Sequence, residues 1–359
     1  MEFNKKLNKP IKLYIFFFSF VLFINIFFTT NINANTFKIT NLEISEAFDL
    51  NFNKEQVIDK GFKKAFLELI SMVTTSGDKQ KIENTSLETI KGLIDSFTMS
   101  KEKFINNEYH VKFDVNFNKK NTLNFFESEN IFPAIPRKKD LLLIPVMVDL
   151  QLDQISLFNN NIFYEKWNNN HERYYLLNYI LPSEDLEDVD LLSQNSQSIE
   201  DYDFKKVIRK YDLNDFIITI IYKNNDKLTV LSKIQLNQSF KVDNKKFETI
   251  DLSKERDLNL ILVNLKTTYE NYWKNINQIN TSIKLPLTIS INATQHKKIQ
   301  IFENGLNELD LVSNFEILRL NNNNIYFRII YNGSPNRFIS EIKIKGIEIN
   351  TQNQIWVVE

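Results

Sequence analysis

The sequence predicts a mixed α+β / α/β protein, with small βαββα-type modules flanking a central layered mixed-sheet domain. Three observations carry this. Residues 109–117 alternate apolar and polar, as a strand with one buried and one wet face does. Residues 141–148 are almost continuously apolar between two aspartates, as a strand covered on both faces is. Strand-like and helix-like stretches then alternate to the C-terminus, the pattern of mixed sheets with helices packed on them.

The first 34 residues stand apart from that fold. Lys5, Lys6, Lys9 and Lys12 precede an apolar run from Leu13 to Phe28, and a polar exit ends Ile32-Asn33-Ala34 before Asn35. Basic start, short apolar run and small-residue exit form the pattern of a secretory signal peptide, cut between Ala34 and Asn35. At 1.5 Å per residue the run reaches about 24 Å, short of a hydrocarbon core of about 30 Å. The bulk of Ile32 weakens the cleavage site, and the alternative retains residues 13–28 as an inner-membrane anchor. The expected compartment is the periplasm, with membrane contact only through this segment if it is uncleaved.

Residues 35–130 read as an N-terminal α+β module. A short strand spans residues 37–44. A helix follows from Asn53 to about Val73, because Val57, Phe62, Ala65, Phe66, Leu69, Ile70 and Val73 recur at three-to-four spacing. Gly61 lies on that stripe and allows close approach to a sheet. A second helix is expected around residues 86–94. A hairpin then turns at Asn106-Asn107, because asparagine tolerates the left-handed backbone that a tight hairpin turn needs. A helix over residues 119–129 closes the module.

A proline-bearing connector, residues 130–139, leads to a central α/β domain over residues 138–278. Its expected order is the buried strand at residues 140–149, a helix at 162–167, a strand at 174–180, a helix at 203–211 and a strand at 215–222. Further strands follow at 227–236 and 246–251. A long helix from Lys254 to about Ile276 ends the domain, buried along Leu258, Ile261, Leu262, Leu265, Tyr269, Tyr272 and Trp273.

Residues 281–359 predict a C-terminal ferredoxin-like βαββαβ module. Pro335 at the first helical position after Ser334, and Gly346 just past the end, bracket its second helix. The first module has a related order, which raises a distant internal repeat.

Composition excludes several chemistries. The chain has no Cys, so thiol nucleophiles, disulfides and iron–sulfur clusters are absent. It has six Gly and no GxGxxG or GxxxxGK[ST] loop to cradle phosphate. No GxSxG elbow occurs. Residues 1–34 carry four Lys and one Glu, so their removal takes the formal charge from −1 to −4. A mildly acidic chain with interspersed signs argues against nucleic acid as a partner.

The segments FKKAFLELI, YHVKFDVNFNKKNTLNFFESENI, LLLIPVMVD and IYFRIIYNGSPNRFISEIKIKGIEI, in that order, resemble the proteobacterial exported envelope family grouped as a domain of unknown function (DUF2066). LPSEDLEDVDLL, residues 181–192, also looks like a recurring segment of that family. Gly61 stands where the family pattern has Ala. The resemblance implies an exported protein without assigned chemistry, and it transfers no site residues.

The residues themselves leave three functional readings. The first is a non-catalytic binding or assembly module with an envelope protein as partner and no cofactor, metal or catalytic residue. The second is a periplasmic solute binder with a cleft near Asp149, since ligands of open α/β sheets gather beyond the carboxyl ends of strands and Asp149 and Asp153 follow such an end. The third is a metal-dependent hydrolase built on Asp149, Asp153 and His171. His110 and His296 read as surface residues. The acids of SEDLEDVD, residues 183–190, read as the first turn of a helix capped by Ser183, where the helix dipole favours negative charge.

Overall fold

Tyr109, Val111, Phe113, Val115 and Phe117 all enter one core, from the middle strand of a three-stranded antiparallel sheet. The structure, a computed structural model, describes residues 37–169, 171–321 and 323–359. The signal-peptide reading and its cut at Ala34 and Asn35 lie outside the described residues. Residues 36–359 form a compact unit of their own. The fold is α+β, with helices packed on three sheets.

The first sheet has β1 (Lys38–Ala47), β2 (Ile94–Ile105) and β3 (Glu108–Phe117) in the order β1-β3-β2. Between β1 and β2 run α1 (Lys54–Val73), α2 (Ser76–Ile82) and α3 (Leu87–Leu93), and α4 (Lys119–Ser128) follows β3. Asn53 caps α1 by accepting the Glu55 amide, as its position before the apolar stripe implies. Asn106 and Asn107 have φ of 52° and 61°, so both residues of the hairpin turn are left-handed and the turn is of the primed class. A Cβ built on Gly61 meets the Phe113 ring at 3.0 Å, so glycine is what brings α1 down onto β3. The helix α2 was not expected; Thr75 starts it by accepting the Asp78 amide.

The central sheet contains β4 (Lys139–Asp149), β5 (Gln154–Ser156), β6 (Leu177–Ile180), β7 (Phe216–Asn224), β8 (Lys227–Leu236) and β9 (Ser239–Phe247). The order is β5-β4-β7-β8-β9, with β6 also beside β4. β4 runs parallel to β6 and β7, and the other neighbours are antiparallel. Its continuous apolar run serves two cores. Leu141 and Leu143 face one that includes α8 (Glu255–Ile276), while Leu142, Ile144, Val146 and Val148 face the other. The second core is closed by α6 (Leu186–Gln194) and α7 (Lys205–Arg209), and α5 (Ile162–Lys166) lies between β5 and β6. The expected strand over residues 246–251 is corrected. The strand is β9, set by a turn at Asn237 and Gln238, whose φ are 46° and 65°.

The third sheet has β10 (Leu285–Asn292), β11 (Val312–Leu320), β12 (Asn324–Tyr331), β13 (Ile349–Asn350) and β14 (Trp356–Val358), ordered β11-β12-β10-β14-β13. The helices are α9 (His296–Glu308) and α10 (Pro335–Ile344). Ser334 accepts the Arg337 amide and Gly346 has φ 77°, the two ends foreseen for α10. One feature departs from a ferredoxin-like module, whose sheet is fully antiparallel. The chain makes a last hairpin, and β14 returns parallel to β10. The first three strands of this sheet, β10, β12 and β11, repeat the spatial order of β1, β3 and β2.

Candidate functional site

The parallel pairing of β4 and β7 places Asp149 opposite Lys223. The two close an ion pair of 2.8 Å, and the Asp149 carboxylate also accepts the amides of Gln151 and Leu152 at 3.0 and 3.2 Å. The Lys223 hydrogen bond holds the carboxyl below the usual aspartate range, with the two amides acting in the same direction. Asp149 is buried and its oxygens are engaged, so it ends the strand and turns the chain.

Beyond that turn a cleft of about 600 Å³ opens between β5 and α6. Asp153, with φ 48°, stands at its edge. Ile155, Leu157, Phe158 and Val189 supply apolar walls, and Glu184 and Asp185 line the cleft with Asp153, Asp185 being paired with Lys210. No Lys or Arg among the described residues lines it. Two of the three acids, Asp153 and Glu184, form no ion pair among the described residues. Asn161 fixes the β5 wall: its side-chain amide donates to the carbonyls of Pro145, Ser156 and Leu157 at 2.8, 3.0 and 3.2 Å. The cleft is an acidic, half-apolar groove beside a strand with one neighbour among the described residues.

The acids of residues 183–190 are organised differently from the sequence expectation. The cap of α6 is Asp185, which accepts the Glu187 amide, and not Ser183. Ser183 donates its own amide to the Tyr211 hydroxyl instead. Where a cation would sit among these acids, the Lys210 ammonium sits, 2.6 Å from Asp185 and 2.7 Å from the buried Asp188. That hydrogen bond lowers the Asp185 pKa.

No protein-family model matches the chain, and no curated protein matches it.

The three residues of the hydrolase reading do not converge. Asp153 lines the cleft; Asp149 and His171 do not. His171 stands edge-on to Tyr175, ring centroids 6.1 Å apart, in the segment that leads into β6. Among the described residues no group of three or more His, Asp or Glu is placed to hold a metal ion. The other histidines are surface residues: His110 meets Ser45 at 2.8 Å and Glu108 at 3.4 Å, and His296 is exposed at the start of α9.

Sequence reasoning missed a second polar constellation. Lys266, Glu270 and Lys274 lie four residues apart on α8, and all three are buried at 5 % exposure or less. Lys266 faces the Tyr175 ring, 5.8 Å from its centroid. Glu270 accepts the amides of Leu176 and Leu177 through one oxygen, at 2.9 and 2.8 Å, while its other oxygen has no hydrogen-bond partner among the described residues. Lys274 donates to the Ser71 carbonyl at the end of α1. Burial pushes Glu270 up to about 7 and both lysines down to about 8. The spacing was visible in the sequence, but polar residues four apart on a helix read as a solvated face.

Proposed function

We propose that this chain is an exported envelope protein that works as a binding module, with the β5–α6 cleft receiving an extended segment of a protein partner. The observation that carries this reading is the cleft itself: it combines apolar walls, an acidic rim and a strand whose second edge has no partner strand among the described residues. A segment in strand conformation adds main-chain hydrogen bonds to such an edge, and its alternate side chains fill the pocket. The rim acids favour a partner segment that carries Lys or Arg. Export and the envelope compartment rest on the pattern of residues 1–34 and on the resemblance described above.

The test is site-specific crosslinking. A photo-reactive residue in place of Ser193, on the cleft wall, is expected to capture a protein from envelope fractions. The same probe combined with Asp153→Lys and Glu184→Lys is expected to lose that adduct. An adduct insensitive to both charge reversals, or no protein adduct, counts against the reading.

A solute-binding function is the second reading, because the cleft volume falls within the roughly 300–1,000 Å³ of small-molecule sites. It moves the ligand site from Asp149, where the sequence suggested it, to Asp153 and its neighbours. A cationic solute that raises the melting temperature, and no longer does so after Glu184→Lys, would favour it.

A further inference from the structure

Residues 171–176 lie between the N-terminal module and α8, and they are polar toward both. Arg173 donates to the carbonyls of Asn41 and Thr40 at 2.7 and 2.6 Å, and reaches Glu68 of α1 at 3.3 Å. Lys79 of α2 sits 5.6 Å from the Tyr174 ring centroid. On the other side Tyr175 covers Lys266, and the Leu176 amide binds Glu270. The contact continues below this segment, where Asn271 accepts the Ser76 amide and Lys274 reaches Ser71. The core of the N-terminal sheet and the core under α8 are separate clusters, so polar contacts dominate this junction. Junctions of that kind permit relative motion.

We propose that the segment His171–Leu176 is a proton-controlled latch, which docks the N-terminal module on α8 while Glu270 is neutral and loosens when Glu270 ionises. The physical basis is what the segment covers. Closed, it seals a carboxyl group away from water with one oxygen unpartnered, an arrangement that suits the neutral acid. Open, it returns the carboxyl to solvent, where the carboxylate is hydrated. Ionisation therefore favours opening.

The groups that face Glu270 come from every side. On its own helix they are Lys266 and Lys274; on β6, Tyr179, whose hydroxyl is buried without a partner. The latch itself brings Glu172, Tyr174 and Tyr175, and α2 brings Lys79, which acts on Lys274. The Lys274 ammonium and the amides of Leu177 and Leu176 stabilise the carboxylate against its burial.

Hydrogen exchange of the full chain tests the latch. The protection of the Leu176 and Leu177 amides, corrected for intrinsic rates, is expected to fall about tenfold between pH 5.5 and 7.5. Glu270→Gln, which keeps the shape and the acceptor oxygen, is expected to flatten that dependence. Lys274→Met removes the favourable cation and is expected to move the midpoint to higher pH. Protection that is flat in the wild type, a fall that survives Glu270→Gln, or a midpoint unmoved by Lys274→Met would each overturn the proposal.

Discussion

Asp149 and Lys223 are 74 residues apart in sequence and form an ion pair of 2.8 Å across the ends of two parallel strands. The pair explains why the carboxylate after the most buried strand is a structural group. Its second role, accepting two amides of the following turn, fixes the chain as it enters the cleft.

Removing the carboxylate should therefore act on stability and not on the cleft's charge. Asp149→Ala is expected to destabilise by about 1–3 kcal/mol in urea unfolding, because the Lys223 ammonium and the amides of Gln151 and Leu152 lose a charged acceptor. The folded pKa is depressed, so the stabilisation is present above the ordinary aspartate range and is lost as pH falls through the folded value. The wild-type and variant melting temperatures should converge in acid. Capture through the Ser193 probe should persist in Asp149→Asn.

Glu270 has the opposite sign. Its folded pKa is raised to about 7 from 4.5, so its contribution is complete below the unfolded value and is lost as pH rises toward the folded one. Comparing wild type with Glu270→Gln by urea unfolding, the difference should move against the wild type between about pH 4.5 and 7, by on the order of 3 kcal/mol. A constant difference across that window would show that Glu270 does not titrate there.

Gly61 and Gly92 make a matched pair of helix glycines. Ala at 61 must share space with the Phe113 ring, so Gly61→Ala is expected to destabilise by about 1–3 kcal/mol through overpacking. Nothing lies within 4 Å of a Cβ at Gly92, and Gly92→Ala is expected to stabilise by about 0.4–1 kcal/mol. Thermal melts of the two variants should shift in opposite directions. A neutral result at position 61 would mean that α1 and β3 can separate slightly.

The hairpin at Asn106-Asn107 needs left-handed backbone at both residues. Asn107→Gly is expected to be neutral or mildly stabilising. Asn107→Val should destabilise by about 1–2 kcal/mol, since a β-branched side chain clashes with the carbonyl in that conformation. Equal melting temperatures for the two variants would contradict the turn assignment.

Local chemistry was legible wherever one residue type serves one backbone need. Asn106 and Asn107 as a turn, and Ser334, Pro335 and Gly346 around α10, are decided within a few residues, and each is where the sequence places it. Alternation in β3 and the unbroken apolar run of β4 likewise report how many faces of a strand are covered. The cleft was only half legible. Asp153 was singled out, but Glu184, Leu186 and Val189 come from a helix and its lead-in more than 30 residues away, and nothing local says which loop they meet.

By itself, then, the sequence determined the α+β class, most helix and strand positions, and the chemistries that zero Cys and six Gly rule out. Only the tertiary structure decided which charged groups are free. Asp149 is neutralised by Lys223, the acids at 185 and 188 by Lys210, and the polar stripe of α8 is buried under residues 171–176. The reason is physical: backbone preferences act over a few residues, whereas burial and ion pairing depend on which distant segment the sheet register brings alongside.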